Sequence, residues 1–282
     1  MSEIKVAKKV FVQNLVIEVT RMCNAKCEHC LRGKAECGKI NEDTLRNLFR
    51  DIDGVSTITF SGGEPTLHLE AVKKTLEICK ENEIYVGGIY IVTNGVEYNP
   101  KLIPLMNEWL EYCYFCEWGD YNLVELDSYL ENSTFGLSLS IDKYHPTMDG
   151  KSNLYRIVKY YSPIKENYGN DGINNTKNVI REGNGANNPH YNFTGRFLDE
   201  WNFRFSVEDA EEEISIEEIY CNIYGELTPC CDMSYDTQRK FAKAFGLGEN
   251  NVNYMSIESI VKKYEEEEMD YSTLLPSKKK AI

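Results

Sequence analysis

The sequence predicts an α/β protein built on a mainly parallel sheet. From residue 10 to about 183, short β-branched runs alternate with stretches of helical periodicity, the order expected of right-handed strand–helix–strand units. Hydrophobic residues make up 42% and charged residues 27%, close to ordinary globular composition, so a sizeable core can be buried.

The elements follow in order. Leu15 to Thr20 reads as a buried strand. Asn41 is an N-cap candidate for a helix with Leu45, Leu48 and Phe49 on one face. Val55 to Ser61 is a second strand, followed by Leu69, Val72, Leu76 and Cys79 at helical spacing. Ile84 to Thr93 is a third strand, broken at Gly87-Gly88, and Leu102, Leu105, Met106 and Trp109 mark the next helix. Phe135 to Ile141 is a fourth strand, Leu154 to Tyr161 a helix, and Asn178 to Arg181 a short fifth strand. Residues 183–195, rich in Gly and Asn, read as a long loop. Beyond residue 205 the chain turns acid-rich, with a hairpin expected at Gly225 and a helix over Ser256–Met269. The expected units are therefore residues 10–205, a core domain, and 206–282, an extension.

Charge narrows the function classes. Asp and Glu total 45 against 31 Lys and Arg, a net charge of −14. Such a surface repels phosphate backbones and anionic lipid, which makes a nucleic-acid or membrane role improbable. No apolar run approaches the ~20 residues of a membrane span, and the opening residues lead into no secretory segment. The expected setting is the cytoplasm, where ten cysteines stay reduced and serve metal ligation, catalysis or burial.

Six of those cysteines fall in two clusters. Cys23, Cys27 and Cys30 follow the first strand directly, and loops at the carboxyl ends of parallel strands are where α/β proteins place their chemistry. Three thiolates so close together suit zinc or an iron–sulfur centre. They are one short of a closed tetrahedral shell, and an open position suits catalysis. A zinc knuckle completed by Cys37 or His29 is the structural alternative.

The run Cys23-Asn24-Ala25-Lys26-Cys27-Glu28-His29-Cys30 resembles the cluster loop of radical S-adenosylmethionine (SAM) enzymes. The resemblance implies a partial (β/α)6-type TIM barrel with a small α+β C-terminal extension. It also implies a [4Fe–4S] cluster on Cys23, Cys27 and Cys30, whose free iron chelates SAM and whose electron cleaves it to methionine and a 5′-deoxyadenosyl radical. Four further segments stand in the family's order. Gly62-Gly63-Glu64 is similar to the motif that contacts the methionine end of SAM, its glycines letting backbone approach a ligand closely. On that reading a Val at Gly63 spares the iron and bars SAM. Thr93 and Asn94 close the third strand, and Ser140 and Asp142 the fourth, where the family reaches the ribose and carboxylate. Glu182, before Gly183, matches a Gly-bearing segment near the adenine. His29 is read as a packing residue, His68, His145 and His190 receive no catalytic role, and Cys79 is core.

Cys221, Cys230 and Cys231 flank the expected hairpin at Gly225. The run looks like the start of a SPASM or Twitch extension, which implies an auxiliary iron–sulfur cluster. No cysteine follows Cys231, so only one truncated site can exist, with Cys113 or Cys116 as candidate fourth ligand; free thiols on a degenerate hairpin are the alternative. The extension resembles those of peptide- and protein-modifying enzymes, so a peptide substrate is expected, with a small molecule or nucleotide as the alternative. A reductant such as flavodoxin or ferredoxin is the implied partner. The competing class is a non-catalytic iron–sulfur or zinc-binding protein.

Overall fold

The computed structural model describes residues 8–119, 126, 128–130, 134–140, 164–167, 182–187, 204–246 and 248–266. Strand β1 (Lys9–Thr20) is continuously buried from Leu15 to Thr20, as a strand covered on both faces must be. Helix α1 (Glu42–Phe49) starts at the expected cap, where the Asn41 side chain accepts from the Thr44 amide at 2.8 Å. Strand β2 (Gly54–Gly62) runs parallel to β1 with Leu15 opposite Ile58, Ile17 opposite Phe60 and Thr20 opposite Gly62. The two strands therefore end side by side.

A 3-10 turn over Pro65–His68 leads into α2 (Leu69–Glu81). Next come β3 (Tyr85–Val86), β4 (Ile89–Thr93) and α3 (Leu102–Trp118). The break at Gly87-Gly88 falls where the sequence places it. Trp109 is fully buried and its indole N–H donates to the Val72 carbonyl at 3.3 Å, locking α3 to α2. Strands β5 (Gly136–Ser140) and β6 (Ile164–Asn167) extend the sheet. The helix expected over 154–161, the strand expected over 178–181, and Asp142, His145 and His190 lie outside the described residues.

The C-terminal part contributes β7 (Val207–Asp209), β8 (Glu213–Cys221), β9 (Leu227–Thr228), α4 (Tyr235–Phe245) and α5 (Ile257–Glu266). Strand order is β6-β5-β4-β2-β1-β8-β7, with β3 also on β2 and β9 on β8. Pairing is parallel throughout except β7 with β8 and β8 with β9. Among the described residues this is an open, parallel-dominated α/β sheet, the fold class the sequence predicts.

The segment read as an extension joins that same sheet. β8 pairs in parallel with β1 from Lys9 opposite Glu213 to Ile17 opposite Cys221, so β1 is a central strand. The hairpin at Gly225 forms as expected, with Tyr220 opposite Thr228. Phe205, Phe241, Phe245 and Tyr264 pack ring against ring at centroid distances of 4.6–5.6 Å, which anchors α5 to α4 and to Phe205.

Candidate active site

The paired ends of β1 and β2 fix the cysteine loop. Leaving β1, the chain makes a loop closed at its neck. Arg21 N donates to Gly38 O at 3.1 Å, Glu36 N to Arg21 O at 3.1 Å, and the Thr20 hydroxyl to Gly38 O at 2.8 Å. Inside the loop, Cys30 N donates to Cys27 O and Gly33 N to Cys30 O, tight turns that keep the cysteines near one another. From β2, Gly63 N donates to Thr20 O at 2.7 Å and Glu64 N to Met22 O at 2.8 Å. The close approach expected at this glycine pair is therefore first an approach to the cysteine loop's own backbone. A Cβ on Gly63 would lie 2.2 Å from Met22 O, and Gly62, at φ +133°, would put one 2.2 Å from Thr20 O.

A cavity of about 790 Å³ opens over this junction, and Cys23, Cys27, Cys30, Gly63, Asn184 and Tyr235 are among its lining residues. The three cysteines are half-buried, whereas Cys37 is exposed and does not line the cavity. Burial pushes the Cys23 thiol above its usual pKa, while its sulfur accepts hydrogen bonds from Ala25 N at 3.4 Å and Asn94 Nδ2 at 3.6 Å. Among the described residues no three His, Cys, Asp or Glu side chains converge on a single-ion site. Three thiols around one cavity fit a metal–sulfur cluster, in which each sulfur takes its own iron. Lys26, Lys34 and the buried Arg32 also line it, a local excess of positive charge on an acidic chain.

The other expected contact residues sit one layer away. Glu64 is buried. It caps the 3-10 turn by accepting from Thr66 N at 3.1 Å and the Thr66 hydroxyl at 2.7 Å. The same carboxylate accepts from the Thr93 hydroxyl at 2.7 Å and Asn94 N at 2.8 Å. It thereby ties the end of β2 to the end of β4 and holds Asn94 against Cys23. Ser140 is half-buried at the end of β5. Glu182 is buried and accepts from Ser234 N at 3.1 Å and the Thr237 hydroxyl at 2.7 Å, at the start of α4.

Residues that sequence reasoning did not single out grip the cysteine loop from far along the chain. Asn184 donates from its side chain to Cys27 O at 3.0 Å and from its amide to Cys30 O at 2.9 Å. Tyr235 N donates to Arg32 O at 3.2 Å, and the Arg32 guanidinium to Met233 O at 2.6 Å. Arg21, fully buried, donates to Glu18 at 2.6 Å, Glu36 at 2.9 Å and Gln238 at 2.8 Å, and lies over the Tyr235 ring. Glu18 in turn accepts from the Tyr220 hydroxyl. The signal available was modest: arginines flanking the cysteine run, and helical spacing of Tyr235, Gln238, Phe241, Ala242 and Phe245 after a Ser234 cap.

The second cysteine cluster is largely interior. Cys221 is buried in β8 and Cys230 just past β9, and burial pushes Cys230 up to about 12 and Cys221 higher still. Cys231 is half-buried, its amide donating to Glu218 at 2.8 Å. Cys113 is buried in α3, and Cys116 lines a separate groove with Tyr85, Tyr112 and Phe115.

Residues 17–116 match the family model described as the Radical SAM superfamily. An uncharacterised protein of Methanocaldococcus jannaschii is 33% identical over 93 residues, 33% of this chain and 29% of the relative. A probable GTP 3′,8-cyclase of Thermococcus kodakarensis is 29% identical over 161 residues, 55% of this chain and 47% of the relative. The chain thus spans less than half the length of these curated relatives. Among solved structures, anSMEcpe with bound AdoMet and Cp18Cys peptide aligns with TM-score 0.47 at 13% identity, covering 90% of this chain and 82% of that one. Streptococcus suis SuiB bound to precursor peptide SuiA aligns with TM-score 0.37 at 12% identity, covering 91% and 65%. Among the described residues no helix is long and apolar enough to cross a membrane.

Proposed function

We propose that this protein is a radical SAM enzyme of the cytoplasm, with Cys23, Cys27 and Cys30 holding a [4Fe–4S] cluster. The observation that carries the reading is that these three thiols and Gly63 line one cavity, inside the segment that matches the family model. When bound, such a cluster supplies the electron that cleaves SAM, and the resulting 5′-deoxyadenosyl radical takes a hydrogen atom from the substrate.

The chain's own residues do the holding and orienting. Asn94 Nδ2 and Ala25 N donate to the Cys23 sulfur, which offsets part of the cost that burial puts on its thiolate. Gly62 and Gly63 let the end of β2 close against the backbone of the cysteine loop, and the segment presents the methionine end of SAM with backbone. Glu64, Thr93 and Asn94 act on that end as one hydrogen-bonded unit, with Ser140, Asp142 and Glu182 serving the rest of SAM. Lys26 and Lys34 favour its carboxylate. The electron comes from a partner such as flavodoxin or ferredoxin.

The substrate in this reading is a peptide or protein, supported by the similarity of the Cys221–Cys231 hairpin to the extensions of peptide-modifying enzymes. The net charge of −14 favours a basic peptide over a polyanion. A nucleotide substrate is the second reading, favoured by the relative named probable GTP 3′,8-cyclase. An auxiliary cluster on Cys221, Cys230 and Cys231 belongs to the peptide reading; residual iron after Cys23, Cys27 and Cys30 are replaced by Ala together reports it. The central test is anaerobic reconstitution followed by SAM and dithionite. 5′-Deoxyadenosine is expected, and its absence from protein with a full, reduced cluster overturns the reading. GTP in the same assay separates the substrates, since a GTP-dependent rise in turnover sinks the peptide choice.

A further inference from the structure

Among the described residues, the buried hydroxyl of Tyr235 has no hydrogen-bond partner. The residue is 2% exposed, opens α4 and lines the cysteine cavity. Its ring is fixed under the Arg21 guanidinium at 4.3 Å, and its amide is spent on Arg32 O. Yet its hydroxyl oxygen stays unpaired among the described residues, although Glu18, Arg32 and Cys30 are all near enough to be felt electrostatically. Leaving a buried hydroxyl unpaired carries a desolvation cost, and a group retained at that cost in a cofactor cavity is best explained by a partner that arrives with the cofactor. Burial, reinforced by the Glu18 carboxylate, pushes this phenol above its usual pKa, so it stands protonated as a donor.

We infer that the Tyr235 hydroxyl donates a hydrogen bond to a sulfur of the cluster held by Cys23, Cys27 and Cys30, and so raises its reduction potential. The inference rests on the radical SAM reading. A donor to a cluster sulfur stabilises the reduced, more negative state over the oxidised one. The ring is already immobilised by Arg21, so the donor is in place before the cluster is and little ordering cost remains. Tyr235 is a positioning and tuning residue rather than a catalytic one.

The test is an EPR-monitored redox titration of reconstituted wild type and Tyr235→Phe, first without SAM. Phe keeps the ring beneath Arg21, so cluster content is expected to match wild type. At the wild-type midpoint potential the ratio of reduced to oxidised cluster is expected to fall roughly three- to tenfold, the scale of one ordinary hydrogen bond. An unchanged midpoint at equal iron content overturns the inference. So does an unchanged midpoint with weaker SAM binding, which would assign the hydroxyl to SAM instead. Should Tyr235→Phe fail to load iron, 3-fluorotyrosine at position 235 carries the test: a more acidic donor is expected to raise the potential, and an unchanged or lower one overturns the inference. Wild type without iron would instead fault the cluster reading itself.

Discussion

Gly63→Ala is the sharpest test of how β2 supports the cysteine loop. The added Cβ would lie 2.2 Å from Met22 O and 2.7 Å from Met22 C, roughly 1 Å inside ordinary contact. Both atoms are backbone, so no side chain can swing aside, and Met22 directly precedes Cys23. Relief requires separating the two segments, which breaks Gly63 N to Thr20 O and Glu64 N to Met22 O. Two such bonds are worth about 1 kcal/mol each, and overpacking adds about 1–3 kcal/mol. The expected loss is about 3–5 kcal/mol, a large share of the stability of a typical domain. Gly119→Ala is the control: it has φ +70° but nothing within 4 Å of its Cβ, so it should cost only about 1–2 kcal/mol. Urea midpoints at constant slope give both numbers, and iron per chain after reconstitution reports the displaced Cys23. The sequence alone expects a side chain at 63 to bar SAM and spare the iron; the structure expects iron to fall too. If Gly63→Ala melts no lower than Gly119→Ala and loads full iron, the backbone argument is wrong.

Four further outcomes follow from the same geometry. Cys37→Ala should keep its iron and SAM cleavage, because Cys37 is exposed and outside the cavity; loss of iron in that variant alone would refute this. Glu64→Ala strands Thr66 N, the Thr93 hydroxyl and Asn94 N, so a stability loss of about 3–5 kcal/mol is expected in urea, and Glu64→Gln should recover part of it. For Glu36, burial pushes the carboxyl up, but hydrogen bonds from Arg239 and Arg21 outweigh that and hold it below 4.5. Its contribution is complete above that value and lost as pH falls through the lower folded value, so Glu36→Gln should flatten the acid side of a urea-midpoint profile. Ending the chain at residue 205 removes β8 from β1 and Gln238 from Arg21; no cooperative urea transition is expected from the remainder.

What was legible in the sequence is what short-range patterns encode. The alternation of strands and helices gave the fold class, Asn41 gave a helix start, and the spacing of Cys23, Cys27 and Cys30 with Gly62-Gly63 gave the residues at the β1–β2 junction. The placement of β8 was not legible. Glu213-Ile214-Ser215-Ile216 alternates as a strand should, but Glu217-Glu218 interrupts the pattern, and pairing with β1 across some two hundred residues leaves no local mark. Helix α4 carries a readable cap at Ser234 and an apolar face, but its place beside the cysteine loop leaves no local mark. The roles of Asn184 and Tyr235 were invisible for the same reason as β8: both depend on long-range register. Glu64 was legible as a motif residue, but its four hydrogen bonds depend on how the β2 and β4 ends meet.

The Glu18–Arg21 pair shows what that long-range structure accomplishes. Both side chains are at most 1% exposed, and burying two charges costs several kcal/mol per ion before their attraction repays it. A pair of apolar residues would serve stability as well. What apolar residues would not supply is direction. Arg21 sits at the neck of the cysteine loop, its backbone bonded to Gly38 and Glu36. Its guanidinium is held at the same time by β1 through Glu18, by the loop through Glu36, and by α4 through Gln238. Each acceptor lies in a different part of the chain, so the full set is satisfied in one loop conformation and lost in others. The desolvation cost therefore goes into selecting a single position for the residues that follow, Met22 and Cys23, and into coupling that position to α4, where Tyr235 faces the same cavity.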